Sequence, residues 1–127
     1  MKKTLILIID DDITLRDMYA QRLTIEGFDV ALAHNGPEGI AMAQTRKPNL
    51  ILLDIMLPAM NGYEVASKLA EHQITRNIPI LFLTALVTET ERKRANTIAS
   101  AKGFLIKSEI RPKEIIDKIN AVLKKKS

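Results

Sequence analysis

The sequence predicts an α/β domain, a doubly wound sheet of five parallel strands covered by helices on both faces. Short apolar runs alternate strictly with longer amphipathic ones, five times over, with no repeat, linker or low-complexity segment. Several of the apolar runs are unbroken by polar residues and rich in branched side chains, as expected of strands buried on both faces. The 127 residues are one domain's worth of chain, long enough to bury a core without a disulfide or structural metal. Strict alternation of this kind calls for right-handed crossovers and a parallel sheet.

Leu5-Ile6-Leu7-Ile8-Ile9, ended by three aspartates, is the first strand. From Ile13 the pattern turns helical, with Leu15, Met18, Tyr19 and Leu23 at helical spacing, Asp12 placed to cap the start and Gly27 to stop the end. Phe28–Ala33 is a short second strand, and Asn35-Gly36-Pro37 opens the second helix with proline in its first turn. Leu50–Leu53 is a third strand ending at Asp54, and the Pro58–Gly62 loop precedes a helix carrying Val65, Ala66 and Leu69. In that loop Asn and Gly are the residues that tolerate a positive φ. Ile78–Leu83 is the fourth strand, ending at Thr84. Val87–Ile98 reads as a helix, unusually polar through Glu89–Arg94. Phe104-Leu105-Ile106 is the last strand, ending at Lys107. Pro112 then starts a helix whose Ile115, Ile116, Ile119, Val122 and Leu123 form one stripe.

Composition narrows the function. No cysteine is present, which removes thiol nucleophiles and zinc-thiolate sites and fits a reducing cytoplasm. No apolar run approaches the roughly 20 residues of a membrane span. Lys2 and Lys3 precede too short an apolar run to make an export signal. The net charge of +4 is unevenly spread: residues 1–63 carry −2 and residues 64–127 carry +6. A basic half of this size reads as a solvated face, with a nucleic-acid surface as the rival.

Doubly wound sheets place their functional groups beyond the carboxyl ends of the strands. Here those ends carry Asp10 and Asp11, Asp54, Thr84 and Lys107. Carboxylates packed together repel and need a cation or shifted pKa values. A hard divalent ion suits oxygen ligands, and Mg²⁺ suits a site of few carboxylates and several waters. A carboxylate beside Mg²⁺ and a lysine is apt to accept a phosphoryl group, and a threonine hydroxyl can donate to the same oxygens. Asp12 reads as a helix cap rather than a ligand, and His34 and His72 as surface residues. Met56 and Met60 read as loop packing.

Four segments together, Ile8-Ile9-Asp10-Asp11-Asp12, Leu52-Leu53-Asp54-Ile55-Met56-Leu57-Pro58-Ala59-Met60-Asn61-Gly62, Leu83-Thr84-Ala85 and Phe104-Leu105-Ile106-Lys107, resemble the receiver domain of two-component response regulators. The resemblance covers residues 1–127 as one receiver domain, closest in kind to single-domain chemotaxis regulators. It implies a flavodoxin-like sheet in the order 2-1-3-4-5 with five helices. It implies that Asp54 is the phosphoacceptor, taking its phosphoryl group from a sensor histidine kinase or a histidine phosphotransfer protein. Asp10, Asp11, Asp54 and the backbone carbonyl of Met56 would then hold Mg²⁺, Lys107 would contact the phosphoryl group, and Thr84 would be the switch hydroxyl. Phe104 would be the switch aromatic that remodels the face made by the fourth helix, fifth strand and fifth helix. The implied output would be contact with a downstream protein target or phosphorelay, and neither nucleic acid nor membrane is expected as a partner of this chain.

Departures from the family pattern carry expectations of their own. Ser108 stands where a cis proline usually follows the lysine, and a cis bond before a non-proline costs about 2.5–4 kcal/mol, so the Lys107–Ser108 bond is expected trans. Met56 and Leu86 are apolar where some relatives orient the hydrolytic water, so self-dephosphorylation is expected to be slow. Ser100 replaces a common turn glycine. Rival readings are a pseudo-receiver that binds partners without phosphorylation, and the receiver fragment of a longer DNA-binding regulator. An aspartyl-phosphate phosphohydrolase would want a second acid two residues after its nucleophile, where Met56 stands. A cofactor binder of flavodoxin type would want a Ser/Thr/Gly-rich phosphate loop where three aspartates stand.

Overall fold

Successive side chains of a strand point to opposite faces, so each fully apolar run must serve two cores at once. The computed structural model describes residues 3–85, 89–97, 101–107 and 111–124. Along the chain lie β1 (Leu5–Ile9), α1 (Ile13–Ile25), β2 (Asp29–Ala33), α2 (Gly36–Arg46) and β3 (Leu50–Asp54). There follow α3 (Gly62–Ala70), β4 (Ile80–Thr84), α4 (Glu89–Asn96), β5 (Ala101–Ile106) and α5 (Pro112–Lys124). The strands form one parallel sheet in the order β2-β1-β3-β4-β5.

The period of two divides the strands as expected. Leu7, Ile9, Ile51, Leu53, Ile80 and Phe82 face α2 and α3, packing with Ala43, Val65, Ala66 and Leu69. Ile6, Ile8, Leu50, Leu52, Leu81 and Leu83 face α1 and α5, packing with Tyr19, Leu23, Ile115 and Ile119. Asp12 caps α1 by accepting from the Leu15 amide at 3.1 Å, and Asn35 caps α2 from the Glu38 amide at 2.8 Å. Asn61 caps α3, accepting from the Glu64 amide at 3.0 Å while the Glu64 carboxylate accepts from the Asn61 amide.

Four details differ from the sequence reading. Met18 is 41% exposed, because the buried stripe of α1 narrows to Tyr19 and Leu23. β4 begins at Ile80 rather than Ile78, after Pro79, whose carbonyl accepts the Ile51 amide. β5 begins at Ala101, three residues before Phe104, because its register against β4 shifts between Ile80 and Phe82. Gly103 takes φ +143° at that irregularity, a conformation that disfavours side chains. In the loop after β3 the positive φ falls on Ala59 at 64°, whereas Asn61 is extended because it serves as a cap. Leu86, Ser100, Ser108 and the Lys107–Ser108 bond, like the two ends of the expected fourth helix, lie outside the described residues.

Candidate functional site at the carboxyl edge of the sheet

A parallel sheet delivers every strand's last residue to one edge, and register sets which of them meet. Ile9 pairs with Leu53, Asp54 with Leu83, and Thr84 with Ile106. Asp10 therefore lies level with Asp54, while Thr84 and Lys107 each step one residue further along the edge. The Lys107 amide donates to the Thr84 carbonyl at 2.8 Å, fixing the start of the lysine's side chain.

The side chains converge as this placement requires. Asp10 (0% exposed), Asp54 (2%) and Thr84 (1%) are buried, whereas Asp11 is exposed. The Lys107 Nζ stands 3.1 Å from Asp54 Oδ2, 3.1 Å from Asp10 Oδ1 and 2.9 Å from Asp10 Oδ2. Asp54 Oδ1 accepts from the Met56 amide at 3.1 Å, and Asp10 Oδ1 also accepts from the Asp12 amide at 2.9 Å. Burial, together with the neighbouring Asp10 charge, pushes the Asp54 carboxyl up to about 6, and Lys107 only partly offsets it. Burial opposes the charge on Lys107, but Asp10 and Asp54 outweigh it and hold the ammonium above its ordinary range. The edge is thus a desolvated anionic pocket closed on one side by a cation.

One carboxylate oxygen from each of Asp10, Asp11 and Asp54 lies within 4.8 Å of the others. Asp10 Oδ2 lies 2.9 Å from the Lys107 ammonium, so the buried acids already gather one cation. Three hard carboxylate oxygens this close together have the donor chemistry that fits Mg²⁺. Thr84 shares the edge, and Phe104 lies half-buried on β5 with its ring stacked on Phe82. Asp10, Asp11, Asp54, Thr84, Lys107 and Phe104 thus all sit along or beside this edge. Met56 differs from expectation in its side chain, which is 69% exposed rather than packed, because its amide turns back toward Asp54. Met60 does pack against the core.

Two contributors escape sequence reasoning. Tyr19 reads as one more apolar helix position, yet its buried hydroxyl has no hydrogen-bond partner among the described residues. Burial above all, then the charges of Asp10, Asp12 and Asp54, raise its pKa against the opposing pull of Lys107, so the ring ends within electrostatic reach of the site. Gly62 begins α3 so close to the third strand that a Cβ there would lie 2.5 Å from the Asp54 carbonyl oxygen and 2.8 Å from Ile55 Cα. Its place in the Asn-Gly pair was the available signal, although the reason is close approach and not a turn.

Comparison with known proteins agrees with this geometry. The family described as response regulator receiver domain matches residues 6–120. The chain is 37% identical over 120 residues to the phosphate regulon transcriptional regulatory protein PhoB of Pseudomonas aeruginosa, covering 94% of this chain and 52% of that protein. It is 36% identical over 120 residues to the DNA-binding dual master transcriptional regulator RpaA of Synechocystis, covering 94% and 49%. The chain therefore spans about half the length of these curated relatives. Among solved structures, the chemotaxis protein CheY4 of Vibrio cholerae superposes with a TM-score of 0.89 at 26% identity, covering 95% of this chain and 99% of that one. A CheY-like receiver domain protein from Methanospirillum hungatei gives 0.88 at 29% identity, covering 98% and 96%. With the 2-1-3-4-5 sheet, the acidic edge facing a lysine, and a family match from Ile6 to Asn120, the chain belongs to the receiver domains of two-component response regulators.

Proposed function

We propose that Asp54 is the phosphoacceptor of this receiver and that its modification switches a protein-binding surface. The observation that carries the reading is the placement of Lys107 Nζ, 3.1 Å from the buried Asp54 carboxylate and within reach of Asp10. A carboxylate oxygen of Asp54 attacks the phosphorus of a phosphohistidine. The new O–P bond forms as the P–N bond breaks, and the imidazole departs with the electron pair and takes up a proton. The donor is a sensor histidine kinase or a histidine phosphotransfer protein, acting in the cytoplasm. Asp10, Asp11, Asp54 and the Met56 carbonyl would hold Mg²⁺, which when bound supplies positive charge to the phosphoryl oxygens. Lys107 supplies a second cation from the opposite side. Thr84 donates its hydroxyl to the modified Asp54, and Phe104 changes packing, so that the face of α4, β5 and α5 presents differently to a downstream target. The chain is a switch that assists only its own modification, and its exposed apolar Met56 favours slow hydrolysis of the phosphoryl group.

The match to half of longer transcriptional regulators favours one further reading, that the domain governs an attached DNA-binding partner. Intact mass after incubation with acetyl phosphate and Mg²⁺ tests the central claim. One phosphoryl-sized increment, absent with EDTA and absent in Asp54→Asn, is expected. A folded protein that gains no mass is instead a pseudo-receiver.

A further inference from the structure

The described sequence of α4, Glu-Thr-Glu-Arg-Lys-Arg-Ala-Asn, is almost wholly polar, and no described residue of this helix enters either core cluster. The guanidinium of Arg94 lies over the ring of Tyr63, 4.3 Å from its centroid. Tyr63 in turn packs on Phe82 with centroids 5.4 Å apart and planes tilted by 52°. Phe82 stacks on Phe104 at 5.7 Å and 28°. Four side chains from α4, α3, β4 and β5 thus form one continuous ladder. Its middle is enclosed, since Phe82 is wholly buried and Tyr63 nearly so. Its two ends are the accessible members, an exposed arginine and a half-buried phenylalanine.

We propose that this ladder is a latch that couples the position of α4 to the packing of Phe104 and favours the unphosphorylated arrangement. The inference rests on the phosphoacceptor reading of Asp54. Tyr63 and Phe82 are clamped between the two ends, so a shift of Phe104 off the face of Phe82 changes the ring surface on which Arg94 rests. Conversely, lifting Arg94 from Tyr63 loosens the stack that holds Phe104 in place. A contact that favours one of two arrangements lowers the population of the other by its own differential strength. For an exposed cation–π pair that is about a two- to five-fold bias.

The test compares wild type, Arg94→Ala, Arg94→Lys, Phe104→Leu and the Arg94→Ala/Phe104→Leu double variant. Each is incubated with acetyl phosphate and Mg²⁺, with the phosphorylation rate read by intact mass and amide exchange read across residues 89–97. Arg94→Ala is expected to phosphorylate about two- to five-fold faster, with raised exchange in α4 before any phosphodonor is added. Arg94→Lys, which keeps a cation over the ring, should fall between it and wild type. In the Phe104→Leu background, removing Arg94 should change the rate no further, because the ladder has already lost its other end. A purely structural role for Arg94 would give additive effects, and that result overturns the latch. So does an unchanged rate and exchange in Arg94→Ala when wild type gains its phosphoryl group. If wild type gains none, the phosphoacceptor reading fails first and the latch with it.

Discussion

Lys107 and Asp54 come from strands separated in the sheet by β4, yet the ammonium stands 3.1 Å from the carboxylate oxygen and also bridges to Asp10. One cation therefore serves two buried acids. Removing one partner of a buried charge pair typically costs about 3–5 kcal/mol, because the remaining charges stay buried. Lys107→Met is expected to unfold at clearly lower denaturant than wild type in EDTA, with part of the loss restored by millimolar Mg²⁺. Its phosphorylation by acetyl phosphate should fall by about 100-fold, the scale for losing one positioned electrostatic group. Equal stability of the two proteins in EDTA would show that the bridge carries no structural weight.

Asp54 gives a pH dependence of unusual sign. Its folded pKa of about 6 lies above the ordinary 3.8, so the native state binds this proton more tightly than the unfolded chain. Stability from this group is fully present below about pH 4 and is lost as pH rises toward 6. Asp54→Asn is therefore expected to be more stable than wild type at pH 7 without divalent ions, with the gap closing as pH falls below 4. Thermal unfolding of both proteins from pH 4 to 7 in EDTA checks this. A gap that widens toward acid would reverse the assignment.

Tyr19 bears a buried hydroxyl that no described residue satisfies. Leaving such a group unpaired costs about 1–3 kcal/mol. Tyr19→Phe keeps the ring and discards the orphan, so its unfolding midpoint is expected to equal or exceed that of wild type. A clear loss of stability would mean that the hydroxyl has a bonded partner in solution.

Gly62 has backbone where a side chain would go. Gly62→Ala must push α3 away from the end of β3, which should cost about 1–3 kcal/mol by overpacking. The same displacement moves the loop that hydrogen-bonds Asp54, so slower phosphorylation should accompany the lower stability. Hydrogen exchange across residues 54–64 locates the change, and protection equal to wild type there would argue against it.

The strands and the strand-end chemistry were legible because both follow from local pattern, whereas the order of the strands in the sheet came only from the family resemblance. Unbroken apolar runs mark the strands, and the polar residue ending each run marks the edge on which Asp10, Asp54, Thr84 and Lys107 gather. Asp12 as a cap was legible for the same reason, since capping depends on residues three apart. What was hidden depends on distant parts of the chain. The irregularity at Gly103 exists only in the register of β5 against β4. The stack of Tyr63, Phe82 and Phe104 joins three elements that share no sequence signal. Met18 matched the helical stripe but not the width of the groove it would have filled.

The polar character of α4 has an evolutionary consequence. Glu89, Thr90 and Lys93 face solvent and serve no core, so exchanging them leaves the packing of the sheet untouched. The carboxyl edge has no such freedom, because Asp10, Asp54 and Thr84 are buried there and Lys107 bridges the two acids. A lineage can therefore rewrite the exposed surface of this helix while inheriting the chemistry of the edge unaltered, which separates divergence at the surface from the constraint of keeping a fold.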